Sequence, residues 1–60
     1  MTDETKADAI ANAFGAMRVQ RKARRAAIQH GNQWEWSQMA DRADERAIEA
    51  VAALLAVFKS

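Results

Sequence analysis

The sequence predicts an all-α fold: an antiparallel two-helix hairpin that dimerises into a four-helix bundle. Three observations carry this expectation. Alanine, the strongest helix former, occurs 15 times in 60 residues, and proline is absent. The two glycines are Gly15 and Gly31, and the second lies in "HGNQ", the one central break in an otherwise helical pattern. Apolar residues recur at alternating steps of three and four on both sides of that break, which is the spacing of helices packed along a seam. The chain therefore reads as one helical-hairpin domain over 1–60, with a first helix over about 3–30, a turn over about 30–33 and a second helix over about 33–59.

The first helix has its start signals at Thr2 and Thr5, either of which can cap it. Thr5-Lys6-Ala7-Asp8 is a weak capping-box variant. Asp3, Glu4 and Asp8 sit where the helix dipole favours anions, and Arg24, Arg25 and His30 near the other end favour its negative pole. Gly31 suits the left-handed position after a helix. Gly15, inside the helix, costs about 1 kcal/mol against alanine, and close approach by another helix is its expected use.

The second helix is expected to start at once. Asn32 is placed as its N-cap, with Glu35 completing a capping box. Lys59 lies in its last turn. A turn this short forces the helices to lie side by side and antiparallel.

The seam follows from the spacing. In the first helix it is expected to run through Ala7, Ile10, Phe14, Met17, Arg21, Arg24 and Ile28. In the second it runs through Trp36, Ala40, Ala43, Ala47, Ala50, Leu54 and Val57. Folding at Gly31 pairs Ile28 with Trp36, Met17 with Ala47, Phe14 with Ala50 and Val51, and Ile10 with Leu54, large against small. Met17 and Met39 read as core filler. A second face of the first helix, Ala9, Ala13, Ala16, Ala23 and Ala27, is left over. So are Ile48, Val51, Leu55 and Phe58 of the second helix. A chain this short buries only about 60% of its unfolded surface. With no cysteine it has no disulfide to compensate. A homodimer is the expected remedy, its interface formed by Ala13, Phe14, Ile48, Val51, Leu55 and Phe58. A heterologous partner covering the same surface is the rival.

Charge patterning raises the main functional question. "RVQRKARR", residues 18–25, holds five cations in a chain of formal net charge +1. Arg18, Lys22, Arg25 and Gln29 fall on one helical stripe, with Arg21 at its edge. The expected fate of these cations is neutralisation by the second helix, with Arg21 near Asp41 or Asp44 and Arg18 near Asp44 or Glu45. The alternative is nucleic-acid binding through Arg18, Arg21, Lys22 and Arg25. Small helical-hairpin dimers are able to bind RNA along a helix face, an architectural resemblance alone. Against it, the pI is near 8.3, and no aromatic side chain lies in the stripe to stack on bases. An acidic protein surface is a third destination.

In "QWEW", Trp34 and Trp36 point about 200° apart, so both cannot enter one core. Trp36 belongs to the seam. Trp34 is then either an interface anchor or a cover for the bundle end against Ile28 or a neighbouring chain. His30 reads as a partner of the helix dipole rather than a pH switch. Asp41, Asp44, Glu45 and Glu49 read as a solvated face, with no metal site expected.

No nucleophile–base pair, phosphate loop or acid/base carboxylate pair can be assembled, so neither catalysis nor a cofactor is expected. No secretory signal is expected either, and the longest apolar run, residues 50–58, is short of the roughly 18 residues a membrane span needs. The expectation is a cytoplasmic, non-catalytic interaction protein. It would be a regulator, adaptor or inhibitor of the size encoded by bacteria and phages, and it would bind another protein through Trp34, Arg18, Lys22 and Arg25. A purely structural assembly subunit is a further reading.

Overall fold

A computed structural model describes residues 2–59. It contains two α-helices packed against each other, α1 (Asp3–Gln29) and α2 (Trp34–Lys59), in a rod whose backbone trace spans 44 × 13 × 11 Å. No helix among the described residues is long and apolar enough to cross a membrane.

Thr2 caps α1. Its extended backbone (φ −77°, ψ 158°) lets the side-chain oxygen accept the Thr5 N–H at 3.2 Å, satisfying one of the free donors of the first turn. At the other end His30 is the C-cap, and two bonds reverse the chain. The Gly31 N–H donates to the Ile28 carbonyl at 3.0 Å, and the Asn32 N–H donates to the Ala27 carbonyl at 2.8 Å. Together these form a Schellman motif, which requires a left-handed residue at Gly31, where φ is 68°.

Asn32 departs from its expected role. Its φ is 56°, so it extends the left-handed reversal instead of capping α2. An N-cap needs extended backbone, and a residue used to turn the chain does not have it. Asn32 tolerates this conformation better than most residues. Helix α2 begins at Trp34, and the Gln33 carbonyl accepts its first bond, from the Ser37 N–H at 2.9 Å. The Ser37 hydroxyl donates to the Asn32 carbonyl at 3.0 Å and ties the turn to the helix.

The core is made of alanine. Ala13, Ala27, Ala40, Ala43 and Ala47 are buried, and no large side chain is fully buried. The seam of α2 follows the spacing in the sequence: Trp36, Ala50, Leu54 and Val57 are half-buried around its three buried alanines. The seam of α1 does not. Its buried residues lie one position earlier than expected, at Ala13 in place of Phe14 and Ala27 in place of Ile28. Ala7, Phe14, Arg21 and Ile28 face solvent, while Ile10, Met17 and Arg24 flank the seam half-buried. The supposedly spare alanine face is thus the packing face. Alanine against alanine permits the close end of the roughly 8–10 Å range of interaxial distances, which large residues on both sides of a gap would prevent. Met39 is exposed and is not core filler.

Candidate functional site: one polar clasp and two exposed surfaces

The close seam brings a polar cluster together beside the turn-side alanines. The Gln20 side-chain amide donates to Asp44 Oδ1 at 2.9 Å. Arg24 Nη2 donates to Asp41 Oδ1 at 3.1 Å and also to Asp44 Oδ2. Asp44 has one carboxylate oxygen on each partner. The Gln20 bond, and then the Arg24 bond, hold its carboxyl below the usual carboxylate range. Asp44 first, and then Asp41, raise the Arg24 guanidinium above its ordinary value. Nearer the turn, His30 and Trp36 stack with ring centroids 3.8 Å apart and planes within 3°.

This clasp changes the account of the basic stretch. Arg24 carries both ion pairs found among the described residues. The pairs expected for Arg21 and Arg18 do not form. The physical reason is the rotated seam: turning α1 by one residue aims Arg24 at the acidic residues of α2 and leaves Arg21 on the flank. Arg18, Arg21, Lys22 and Arg25 are all exposed, as is Gln29. The stripe is therefore a solvent-facing cationic surface, and neutralisation within one hairpin accounts for Arg24 alone.

The second surface is apolar. Met17, Gln20, Ala47, Ile48, Val51 and Leu55 line a groove on one face of the hairpin. Phe14, Met17, Gln20 and Arg21 line the hollow beside it. Met17 and Gln20 belong to both, so this is one continuous face. Phe14, Ile48, Leu55 and Phe58 are between 55% and 69% exposed, while Val51 is half-buried. Ala13, the sixth residue expected to meet a second chain, is 1% exposed and already covered by α2. It has no surface left to contribute. The opposite face is mixed: exposed Val19 and Met39 lie there with Arg42 and Arg46.

Trp34 is 72% exposed at the start of α2, and Ile28, which it was expected to cover, is itself 63% exposed. Sequence reasoning missed Gln20 and Val19. The signal that could have found them was the alanine stripe of α1, because placing that stripe inside turns Val19 outward and brings Gln20 to the edge of the seam.

Among the described residues no group of three or more histidines, cysteines, aspartates and glutamates could hold a metal ion. What the arrangement offers chemically is contact: an apolar face, a cationic stripe and an exposed indole. The chain matches no protein-family model, no curated protein and no solved structure.

Proposed function

We propose that this chain is a small non-catalytic interaction protein, a regulator, adaptor or inhibitor, which works as a homodimer and acts by occupying a surface of another protein. One observation carries the reading: the hairpin fully buries only alanine and leaves Phe14, Ile48, Leu55 and Phe58 more than half exposed. Each buried alanine methyl contributes only about 0.8 kcal/mol, whereas a covered leucine, isoleucine or phenylalanine contributes about 1.5–3 kcal/mol. The stronger part of the hydrophobic driving force is thus held outside the hairpin and is gained only against another chain. The apolar groove supports a four-helix bundle. Trp34, and separately the exposed Arg18, Lys22 and Arg25 of α1, support a further contact, because exposed tryptophan and arginine are the usual anchors of protein interfaces.

The test is a comparison of baits. Wild-type protein and Trp34→Ala are immobilised and challenged with lysate, and captured proteins are identified. The expected result is a partner retained by the wild type and lost by Trp34→Ala, with helix content by circular dichroism unchanged. An identical capture pattern from both baits would remove Trp34 from the binding surface.

A second reading has its own support. Arg18, Arg21, Lys22 and Arg25 are exposed along one helix, and a rigid basic stripe can follow phosphates. It calls for anisotropy of labelled RNA and duplex DNA at low and moderate salt. Binding that falls steeply with salt, and is lost in Arg18→Ala with Lys22→Ala, would favour nucleic acid. No binding at low salt would dismiss it.

A further inference from the structure

We propose that the occupant of the apolar groove is a second copy of this chain, related by a two-fold axis running along the hairpin. Both turns then lie at the same end. The basic edge of α1 lies over the acidic edge of α2 of the other copy. This deepens the homodimer reading above and rests on it.

The first argument is area. The hairpin whose face carries the groove is 44 Å long. Two helices with side chains, each about 10–12 Å across, make it about 20 Å wide. A flat area on the order of 900 Å² matches the ~800 Å² that each partner gives to a stable interface of standard size. Its apolar content is concentrated in residues already more than half exposed, among them Phe14, Ile48 and Leu55.

Symmetry and charge together fix how two such faces meet. A two-fold axis between two such faces must lie in the interface, either along the helices or across them. An axis along the helices produces no shift in height, so every residue keeps its level, and α1 of one copy covers α2 of the other. Levels can be read from contacts within one hairpin. Gln20 meets Asp44, Arg24 meets Asp41 and His30 meets Trp36. Facing residues therefore have numbers that add to about 65. At that register Arg21 comes level with Glu45 of the second copy, and Arg25 with Asp41. All four side chains are exposed in the single hairpin, and Asp41 keeps a free side beyond its contact with Arg24. Two opposite-charge pairs form on each side of the dimer.

An axis across the helices, centred on Phe14, stacks α1 on α1 instead. Arg21 then meets Ala7, Arg25 alone finds a carboxylate at Asp3, and Asp41 passes the end of the other α2. The along-axis arrangement answers more of the exposed charge, and opposite charges placed face to face set the register of an interface. It also gives the basic stretch a use that the single hairpin does not. Arg24 clasps its own chain, Arg21 and Arg25 reach the other chain, and Arg18 and Lys22 stay outside, so that in this dimer the separate contact falls to Trp34, Arg18 and Lys22.

The experiment is a charge swap read by sedimentation. One variant carries Arg21→Glu and Arg25→Glu, and the other carries Asp41→Lys and Glu45→Lys. Each alone places like charges together at both edges and is expected to weaken self-association about tenfold, the scale of four exposed ion pairs. Mixing the two variants restores opposite charges at both edges, and the expected result is a heterodimer as tight as the wild type. Circular dichroism checks that each variant is folded.

The chain has no native cysteine, so a spin label at Gln33→Cys reports the turn-to-turn distance independently. The along-axis dimer gives about 25 Å or less, while the across-axis dimer separates the turns by about 50 Å at 1.5 Å of rise per residue. A wild-type dimer whose swapped variants do not recover on mixing, or whose labels lie about 50 Å apart, overturns this arrangement and leaves the homodimer standing. A wild type that stays at one chain's mass over a wide concentration range overturns both.

Discussion

The turn half and the open half of the hairpin use the same two helices but hold together differently. In the turn half, the Schellman reversal, the His30–Trp36 stack and the Gln20–Asp44–Arg24–Asp41 clasp lock α1 to α2 beside Ala27, Ala40 and Ala43. In the open half the alanine seam continues at Ala13, and its flanks are Phe14, Ile48, Leu55 and Phe58, all more than half exposed. Directional polar contacts complete the first region within one chain. The second region instead leaves large, non-directional apolar surface in contact with solvent. On the proposed dimer, this contrast assigns stability and register to the turn half and association to the open half.

The largest expected effect probes the open half. Ile48→Ser with Leu55→Ser should leave the single hairpin nearly untouched, since exposed substitutions usually stay within about 0.5 kcal/mol. If a second chain covers them, each loses about 1.5–3 kcal/mol of burial. The expected result is self-association weakened by about a hundredfold or more in sedimentation. An unchanged association constant would mean the open half is not the interface.

Next comes the seam. Ala40 is fully buried, and Ala40→Leu forces extra volume between close backbones. A loss of about 1–3 kcal/mol in thermal or urea melts is expected. A neutral result would show that the helices can separate, and would weaken the case for alanine packing.

The two glycines sharpen the comparison further. Gly31 has φ 68°, so Gly31→Ala should cost about 1–2 kcal/mol. At Gly15 an added Cβ meets nothing within 4 Å, and Gly15→Ala should raise stability by about 1 kcal/mol through helix propensity. A destabilising Gly15→Ala would reveal another helix approaching there in the assembled protein.

The smallest effect is electrostatic and belongs to the turn half. Folding lowers the Asp44 carboxyl below its ordinary value, chiefly through Gln20 and then Arg24. Its stabilisation is therefore fully present above the ordinary carboxylate pKa, near 3.9, and fades as pH falls through the lower folded value. Asp44→Asn should melt below the wild type at pH 7, and the gap should close on acidification. A gap that persists unchanged at low pH would show that the carboxylate charge is not what Asp44 contributes.

Much of this architecture was legible in the residues. The α2 seam was readable because α2 offers one consistent stripe, Trp36 through Val57, with the charges grouped elsewhere. The seam of α1 was not. Ala13 and Phe14, or Ala27 and Ile28, are neighbours on two overlapping stripes, and spacing alone cannot rank them. That single rotation explains the other departures. It exposes Phe14 and Ile28, moves the ion pairing from Arg21 to Arg24, and brings Gln20 into the clasp. Asn32 was misplaced for a related reason: the residue types that cap helices also tolerate left-handed turns, so composition does not separate the two uses.

Two helices, their approximate lengths and the break at Gly31 were determined by the sequence alone, because propensity and glycine conformations act over a few neighbouring residues, whereas the choice of Thr2 over Thr5 as the cap was made by the structure. Which stripe of α1 faces inward was decided only by tertiary structure. That choice depends on how closely two backbones approach, and it is settled by the alanines of α2 lying opposite, from 13 residues (Ala27 to Ala40) to 34 residues (Ala13 to Ala47) away along the chain.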